Sequence, residues 1–303
     1  MTATIYVLGN VNVDLVMGPL APWPQPGTEI MLPQTEMRAG GAAGNTVLAL
    51  KAMGARYRLV CNMGNDIFGR WLGEALGESA WPISPTPTSL SVGLTHPNGE
   101  RTFLTSKGHL EAMTAAIALG QMPPRAAAGD VVLLAGAFLS PLLLDSYGRL
   151  MADLAARGFA LALDTGWPLE GWTAEARRRV AAWLPACDHV LLNEIESCGL
   201  SGEAEVDAAA AWIRGHAKPT GTVVVKRGPF GASAWRGTAH AAVAAPAVPV
   251  VDTIGAGDVF NAGYLQATLQ GADLAAAVGA GVAAASLAIS TSPRRYGSAA
   301  AGR

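Results

Sequence analysis

Apolar residues in this chain fall into short dense runs that alternate with longer stretches of helical spacing or with glycine- and proline-rich segments. The first run, residues 4–14, begins as a near-continuous β-branched and apolar stretch. That pattern predicts a strand buried on both faces of a parallel sheet. Residues 15–37 are rich in Pro and Gly and show no helical period. A glycine loop at 39–45 then feeds a predicted helix over 46–54, closed by Gly54 as its C-terminal glycine. Two β-rich runs, 89–95 and 101–105, flank Pro97-Asn98-Gly99-Glu100, and an Asn-Gly pair in that setting predicts a hairpin. Further strands are predicted at 131–135, 159–164, 189–193 and 222–226. Helical stretches lie among and after them, including 142–157, 203–214 and 259–270. Such β–α alternation implies an α/β fold, a mainly parallel sheet with helices on both faces.

Composition narrows the picture. Of 303 residues half are hydrophobic and 15% charged, enough for a large core, and the net charge of -2 gives no field to hold nucleic acid or an anionic membrane. The apolar run 274–289 is mainly Ala and Gly, is shorter than the ~20 residues a membrane span needs, and follows Asp273, so a closely packed buried helix is expected. Cys61, Cys187 and Cys198 show no CxxC spacing and read as reduced thiols. The first residues carry no basic and apolar leader pattern, and a cytoplasmic chain is expected. No repeat or long linker divides the sequence, so residues 1–303 are read as one domain with a frayed tail from Gly297.

One segment stands out chemically: Val251-Asp-Thr-Ile-Gly-Ala-Gly-Asp-Val-Phe-Asn261. Gly255, Ala256 and Gly257 precede Asp258 and a helical run. A small-residue loop opening a helix points backbone N–H groups at one spot, where the helix dipole adds positive potential, and this suits phosphate. An aspartate there is placed to take a proton from a hydroxyl attacking that phosphate. The plain alternative is a glycine turn with an acid at a helix start. Earlier in the chain, Gly40 and Gly41 permit close backbone approach to a polyol, and Asn45 both donates and accepts hydrogen bonds.

Taken together, the DTxGAGDxFxAG string and the GGxxxN segment, about 210 residues apart, resemble the two signatures of the PfkB, or ribokinase-like, carbohydrate kinase family. The resemblance spans residues 8 to about 290. It implies a three-layer α/β/α ribokinase-like fold with a small β-rich lid formed by roughly residues 14–38 and 90–106. It also implies ATP, Mg²⁺ and phosphoryl transfer to a hydroxymethyl group of a sugar, nucleoside or related alcohol, with Asp258 as base. Asn12 and Asp14 match the place where the family holds substrate hydroxyls, beside Gly40, Gly41 and Asn45. Asn193 and Glu196 resemble the family's Asn-x-x-Glu element, with Glu196 acting on Mg²⁺ largely through water. Lys226, Gly228 and Gly231 lie in a loop placed like the nucleotide loop. Dimerisation through the lid and a monovalent cation near Asp252 and Thr253 are further expectations of the resemblance.

Departures bear on the acceptor. Sugar-kinase relatives carry Asp-x-Asn-x-Arg where this chain has Asp164-Thr-Gly-Trp-Pro168, and the stretch Ala135 to Ser140 lacks the acid that ribokinases place there. Ribose is therefore one acceptor among several. A sugar-phosphate acceptor needs clustered Lys or Arg; Arg101 and Lys107 on the lid strand are the candidates, although exposed lid charges are ordinarily just solvated. A non-catalytic sugar or nucleotide sensor is the reading from another class, and retention of Asp258 argues against it. The five histidines show no metal spacing. There is no GxSxG elbow, and the first strand does not end in GxGxxG.

Overall fold

A computed structural model describes residues 3–77, 81–97 and 101–296. The Asn98-Gly99 turn and the tail from Gly297 lie outside the described residues. The strands in chain order are β1 (Ile5–Gly9), β2 (Asn12–Gly18), β3 (Gln34–Gly40), β4 (Tyr57–Val60) and β5 (Met63–Gly64). Next come β6 (Ile83–Ser84), β7 (Leu90–Thr95), β8 (Arg101–Thr105), β9 (Val131–Ala135) and β10 (Ala160–Asp164). The last are β11 (His189–Asn193), β12 (Thr222–Lys226), β13 (Ala232–Arg236) and β14 (Ala239–Val243).

Eight strands form the main sheet in the order β14-β13-β12-β11-β10-β9-β1-β4. It is parallel from β4 to β12, and β13 and β14 add an antiparallel edge. The apolar runs explain the centre: every residue of β9 and β12 is buried, as expected for strands covered on both faces. Two apolar cores lie against the sheet, one containing Val7, Leu133, Phe260 and Val278, the other Leu8, Leu134, Leu150 and Leu192. Successive residues of one strand thus feed opposite layers. A second, four-stranded sheet has the order β3-β2-β7-β8, and β5 pairs with β6.

Three sequence expectations need correction. The strand expected over 4–14 is two strands in different sheets, β1 and β2, parted at Asn10 and Val11. Val11 and Val13 are both buried, so the apolar pattern runs straight through the break and hides it. The first helix spans Ala42–Ala52, starting earlier than expected, because Gly41 at φ 83° turns the chain directly from β3 into the helix. The helix expected over 142–157 is divided at Asp145 and Ser146 into Pro141–Leu144 and Tyr147–Ala156.

The Ala/Gly-rich helix Leu274–Ile289 packs tightly on the helix Ala256–Leu269, as its composition predicts. A Cβ at Gly263 would lie 2.8 Å from the Ala280 carbonyl oxygen, and one at Gly281 would lie 2.8 Å from the Phe260 ring. Among the described residues no helix is long and apolar enough to cross a membrane.

Candidate active site

The carboxyl ends of β10, β11 and β12 converge on the start of the helix Ala256–Leu269, where ligands of open α/β sheets ordinarily bind. Gly255, at φ 72°, is that helix's N-cap and has no side chain to cap it; the Ala256 N–H donates to the Thr253 carbonyl at 3.2 Å, which leaves the Gly257 and Asp258 N–H groups to meet an anion. Gly255 also cannot carry a side chain: a Cβ would lie 2.7 Å from Asn45 Nδ2. Ala256, Gly257 and Asp258 form the first turn.

Asn45 Nδ2 donates to Asp258 Oδ2 at 2.9 Å across 213 residues of sequence. Thr46 Oγ1 donates to the Asp258 carbonyl at 3.3 Å. Asp258 keeps part of its surface in solvent, yet burial, and then the Asp164 carboxylate, push its carboxyl up to about 8, against the pull of Asn45 and Lys226. A base titrating near neutrality is suited to accept a proton from a hydroxyl.

Beneath the loop lies a buried polar group. Lys226, the last residue of β12, places Nζ 2.7 Å from Asp164 Oδ2 and 3.3 Å from Asn261 Oδ1. Asn261 Nδ2 donates to the same Asp164 oxygen. Burial opposes the charge on Lys226, but Asp164 and Glu196 outweigh it and hold its pKa above the ordinary lysine value. A Cβ on Gly257 would lie 3.3 Å from Lys226 Nζ, so the ammonium sits directly against the anion loop.

Asn193 and Glu196 form a reciprocal capping box at the helix Glu194–Ser201: Asn193 Oδ1 accepts from the Glu196 N–H at 2.7 Å, and Glu196 Oε2 accepts from the Asn193 N–H at 2.9 Å. These residues therefore have a structural task whatever else they do. Burial, and then Asp164, raise the Glu196 carboxyl to about 7. Gly228 (φ 51°) and Gly231 (φ 88°) bracket the turn between β12 and β13, with the Arg227 N–H donating to the Gly231 carbonyl at 2.7 Å. They lie beyond Lys226 and bring no side chain to the site.

On the other side, Asn12 and Asp14 open β2 rather than end β1. Asn12 Nδ2 donates to Asp14 Oδ1 at 2.6 Å, and Asn10 Nδ2 donates to Asn12 Oδ1 at 3.3 Å. Gly40, opposite Asn12 in the sheet register, lies so close that its Cβ would be 2.0 Å from Asp14 Oδ2. Burial raises the Asp14 carboxyl to about 6 despite Asn12, Arg38 and Arg294 nearby.

Sequence reading missed several participants. Asp164 figured only as the start of a departure, and Asn261 stood unassigned inside the long string although it is fully buried. Arg38 and Arg294 carried no sequence signal, yet both bind Asp252. Arg294 also bears on the expected monovalent cation. Its Nη1 donates to the Ile254 carbonyl, and its Nη2 donates to the Asp252 carbonyl at 3.2 Å and to Asp252 Oδ2 at 2.7 Å. Thr253 Oγ1 accepts from Arg101. The oxygens that would hold an ion beside Asp252 and Thr253 already serve tethered guanidinium groups, so these residues do not fit one. The two lid charges separate as well: Arg101 is 17% exposed and paired to Asp252, whereas Lys107 is 82% exposed and paired to Glu111.

Comparison with known proteins identifies the family and the fold. The family model for pfkB family carbohydrate kinases matches residues 2–298. The chain is 24% identical over 304 residues to a ribokinase of Haemophilus influenzae, covering 95% of this chain and 93% of the relative. It is 28% identical over 278 residues to a fructokinase of Klebsiella pneumoniae, covering 88% and 84%. The fold superposes on that of an Arabidopsis thaliana ribokinase complexed with ribose and ATP at a TM-score of 0.76, with 21% identity and 98% and 96% coverage.

Proposed function

The chain belongs to the pfkB family of carbohydrate kinases, phosphotransferases with an alcohol group as acceptor, and on that premise we propose how its own residues carry out the transfer. ATP is the donor, as the ATP-bound Arabidopsis ribokinase suggests. The terminal phosphoryl group lies against the loop from Gly255 to Asp258. Asp258 removes the proton of the attacking hydroxyl, whose oxygen bonds to phosphorus as the bond from phosphorus to the bridging oxygen of ADP breaks. The loop N–H groups and Lys226 stabilise the charge on the transferring group. Asn12, Asp14, Gly40, Gly41 and Asn45 orient the acceptor, and Gly228 and Gly231 shape the nucleotide side. The observation that carries this reading is the hydrogen bond from Asn45 to Asp258, which unites the two sequence signatures at one carboxylate.

Magnesium supplies neutralisation of phosphate charge when bound. Asp164 and Glu196 share one buried cation, Lys226, and the Glu196 carboxyl is raised first by burial and then by Asp164. Glu196 would act, through water, on an ion carried mainly by the phosphates.

The four-stranded sheet acts as the lid, excluding water that would otherwise be phosphorylated. One of its faces presents Leu15, Met37, Val92 and Leu104, none of them buried, and supports a homodimer through that face. The three free cysteines suit a cytoplasmic setting.

The test is an ATP-consumption screen over pentoses, hexoses, nucleosides and sugar phosphates, with Asp258→Asn alongside. Turnover by the wild type and its loss in the variant are expected. A variant as active as the wild type refutes the assignment of the base, and sugar or nucleotide binding with no acceptor consumed favours a sensor.

A further inference from the structure

Asp252 is crowded by cations. Its Oδ2 accepts from Arg38 Nη1 at 2.6 Å and Arg294 Nη2 at 2.7 Å; its Oδ1 accepts from Arg101 Nη2 at 2.8 Å and the Ile254 N–H at 2.9 Å. Burial by itself would raise this carboxyl, but the Ile254 N–H and the guanidinium groups outweigh it and lower its pKa. An ionised carboxylate offers about four lone-pair sites, so Asp252 is saturated. Arg38 Nη2 and Arg101 Nε are nonetheless shielded from solvent and have no acceptor among the described residues. Buried donors on a charged group are costly to leave unmatched. Glu36 does not match them: it lies 3.8 Å from Arg38 Nη1 and is 66% exposed.

Position tells what these donors are for. Arg38 pairs with Asp14 across β3 and β2, and Arg101 pairs with Thr95 across β8 and β7. The two-residue period puts Asp14, Arg38, Ser91, Thr95 and Arg101 on one face of the small sheet. Arg38 and Arg294 are close enough to Asp14 to act on its charge. Surplus guanidinium donors thus border the residue that orients the acceptor. Neutral hydroxyls would satisfy the donors but not the charge, since three guanidinium groups face Asp252 while Asp14, near Arg38 and Arg294, is already bonded to Asn12, and Glu36 at 3.8 Å from Arg38 lies largely in solvent. An anion satisfies both.

Resting on the kinase reading above, we propose that the acceptor is an acidic sugar derivative, whose carboxylate or phosphate is received by Arg38 and Arg101 while Asp258 deprotonates a hydroxyl on another carbon. In this structure Asp252 accepts from the two lid arginines. With substrate bound they turn their remaining donors to its anionic group, and lid closure is coupled to that charge.

The experiment uses the full chain with three acceptor arms: neutral hexoses and pentoses, their phosphates, and sugar acids such as gluconate and 2-keto-3-deoxy acids. ADP release gives kcat/KM. Thermal stabilisation by the same compounds in saturating ADP reports binding without chemistry. One acidic arm is expected to exceed its neutral counterpart by about 100-fold, and the arm that wins identifies phosphate or carboxylate. Arg38→Gln and Arg101→Gln are expected to narrow that ratio by about 10–100-fold each, mainly through KM, with Arg101→Lys recovering part of it. A neutral sugar preferred over its acidic counterparts overturns the proposal and leaves the kinase reading intact. Acidic compounds that bind in an arginine-dependent way without any turnover support the anion site and count against the kinase reading. Neither turnover nor arginine-dependent stabilisation by any acidic compound overturns the proposal.

Discussion

Replacing Asp258 by Asn tests the electrostatics of the site without needing to know the acceptor. The exchange is isosteric, and the amide oxygen of the new side chain can still accept from Asn45, so the change is chiefly one of charge. Holding the carboxyl at about 8 against an ordinary 3.8 means that ionising it in the native state costs up to about 6 kcal/mol. Asp258 is partly open to solvent, so the working figure is about half of that, on the order of 3 kcal/mol. The sign follows from linkage. Below pH 3.8 the carboxyl is protonated in both folded and unfolded chains, and wild type and variant should be equally stable. Between there and about 8 only the unfolded chain ionises, so the wild type loses stability relative to the variant as pH rises. Above about 8 the gap is constant. Thermal unfolding from about pH 4 to about pH 9 should show the variant gaining about 5 °C at the alkaline end and nothing at the acid end. The same carboxyl must be ionised to work, so wild-type kcat/KM should rise with pH and level off near about 8. A stability difference that does not change with pH, or a rate that is already flat from about pH 5, would refute the account of Asp258 as a raised base.

Other outcomes follow from the same geometry. Lys226→Met leaves Asp164 and Glu196 without their buried cation; a loss of about 3–5 kcal/mol of stability in denaturant titration is expected, together with a large fall in kcat. Gly40→Ala drives a methyl group into the Asp14 carboxylate; the repacking costs about 1–3 kcal/mol, and steady-state kinetics should show it as a raised KM for the acceptor rather than for ATP. Because Arg294 fills the oxygens beside Asp252, turnover should be indifferent to exchange of K⁺ for Na⁺ or choline. Arg294→Ala should acquire K⁺ activation, and a wild type already activated by K⁺ would contradict that assignment.

Much of this protein can be read in its sequence, because the cues are local. A buried parallel strand needs a continuous apolar run, and β9, β11 and β12 appear where such runs stand. A helix that presents bare N–H groups to phosphate needs small residues at its start, and Gly255 to Asp258 supply them. A helix packed against a neighbour at van der Waals contact must be small along one side, which the Ala and Gly of 274–289 announce. Tertiary structure alone decided the rest. Val11 and Val13 keep an apolar pattern while the chain leaves one sheet for another, so the break between β1 and β2 has no local signal. Lys226 reads along the chain as part of a nucleotide loop, but it ends β12, and its ammonium sits beneath the anion loop because Asp164 and Asn261, from a distant strand and a distant helix, offer it a matched buried seat. Most of all, Arg38, Arg101 and Arg294 are scattered along nearly the whole sequence, and only folding brings them to one saturated aspartate. Charge acts through space rather than along the chain, so the sequence could single out Arg101 as a lid charge but not the cluster that it joins.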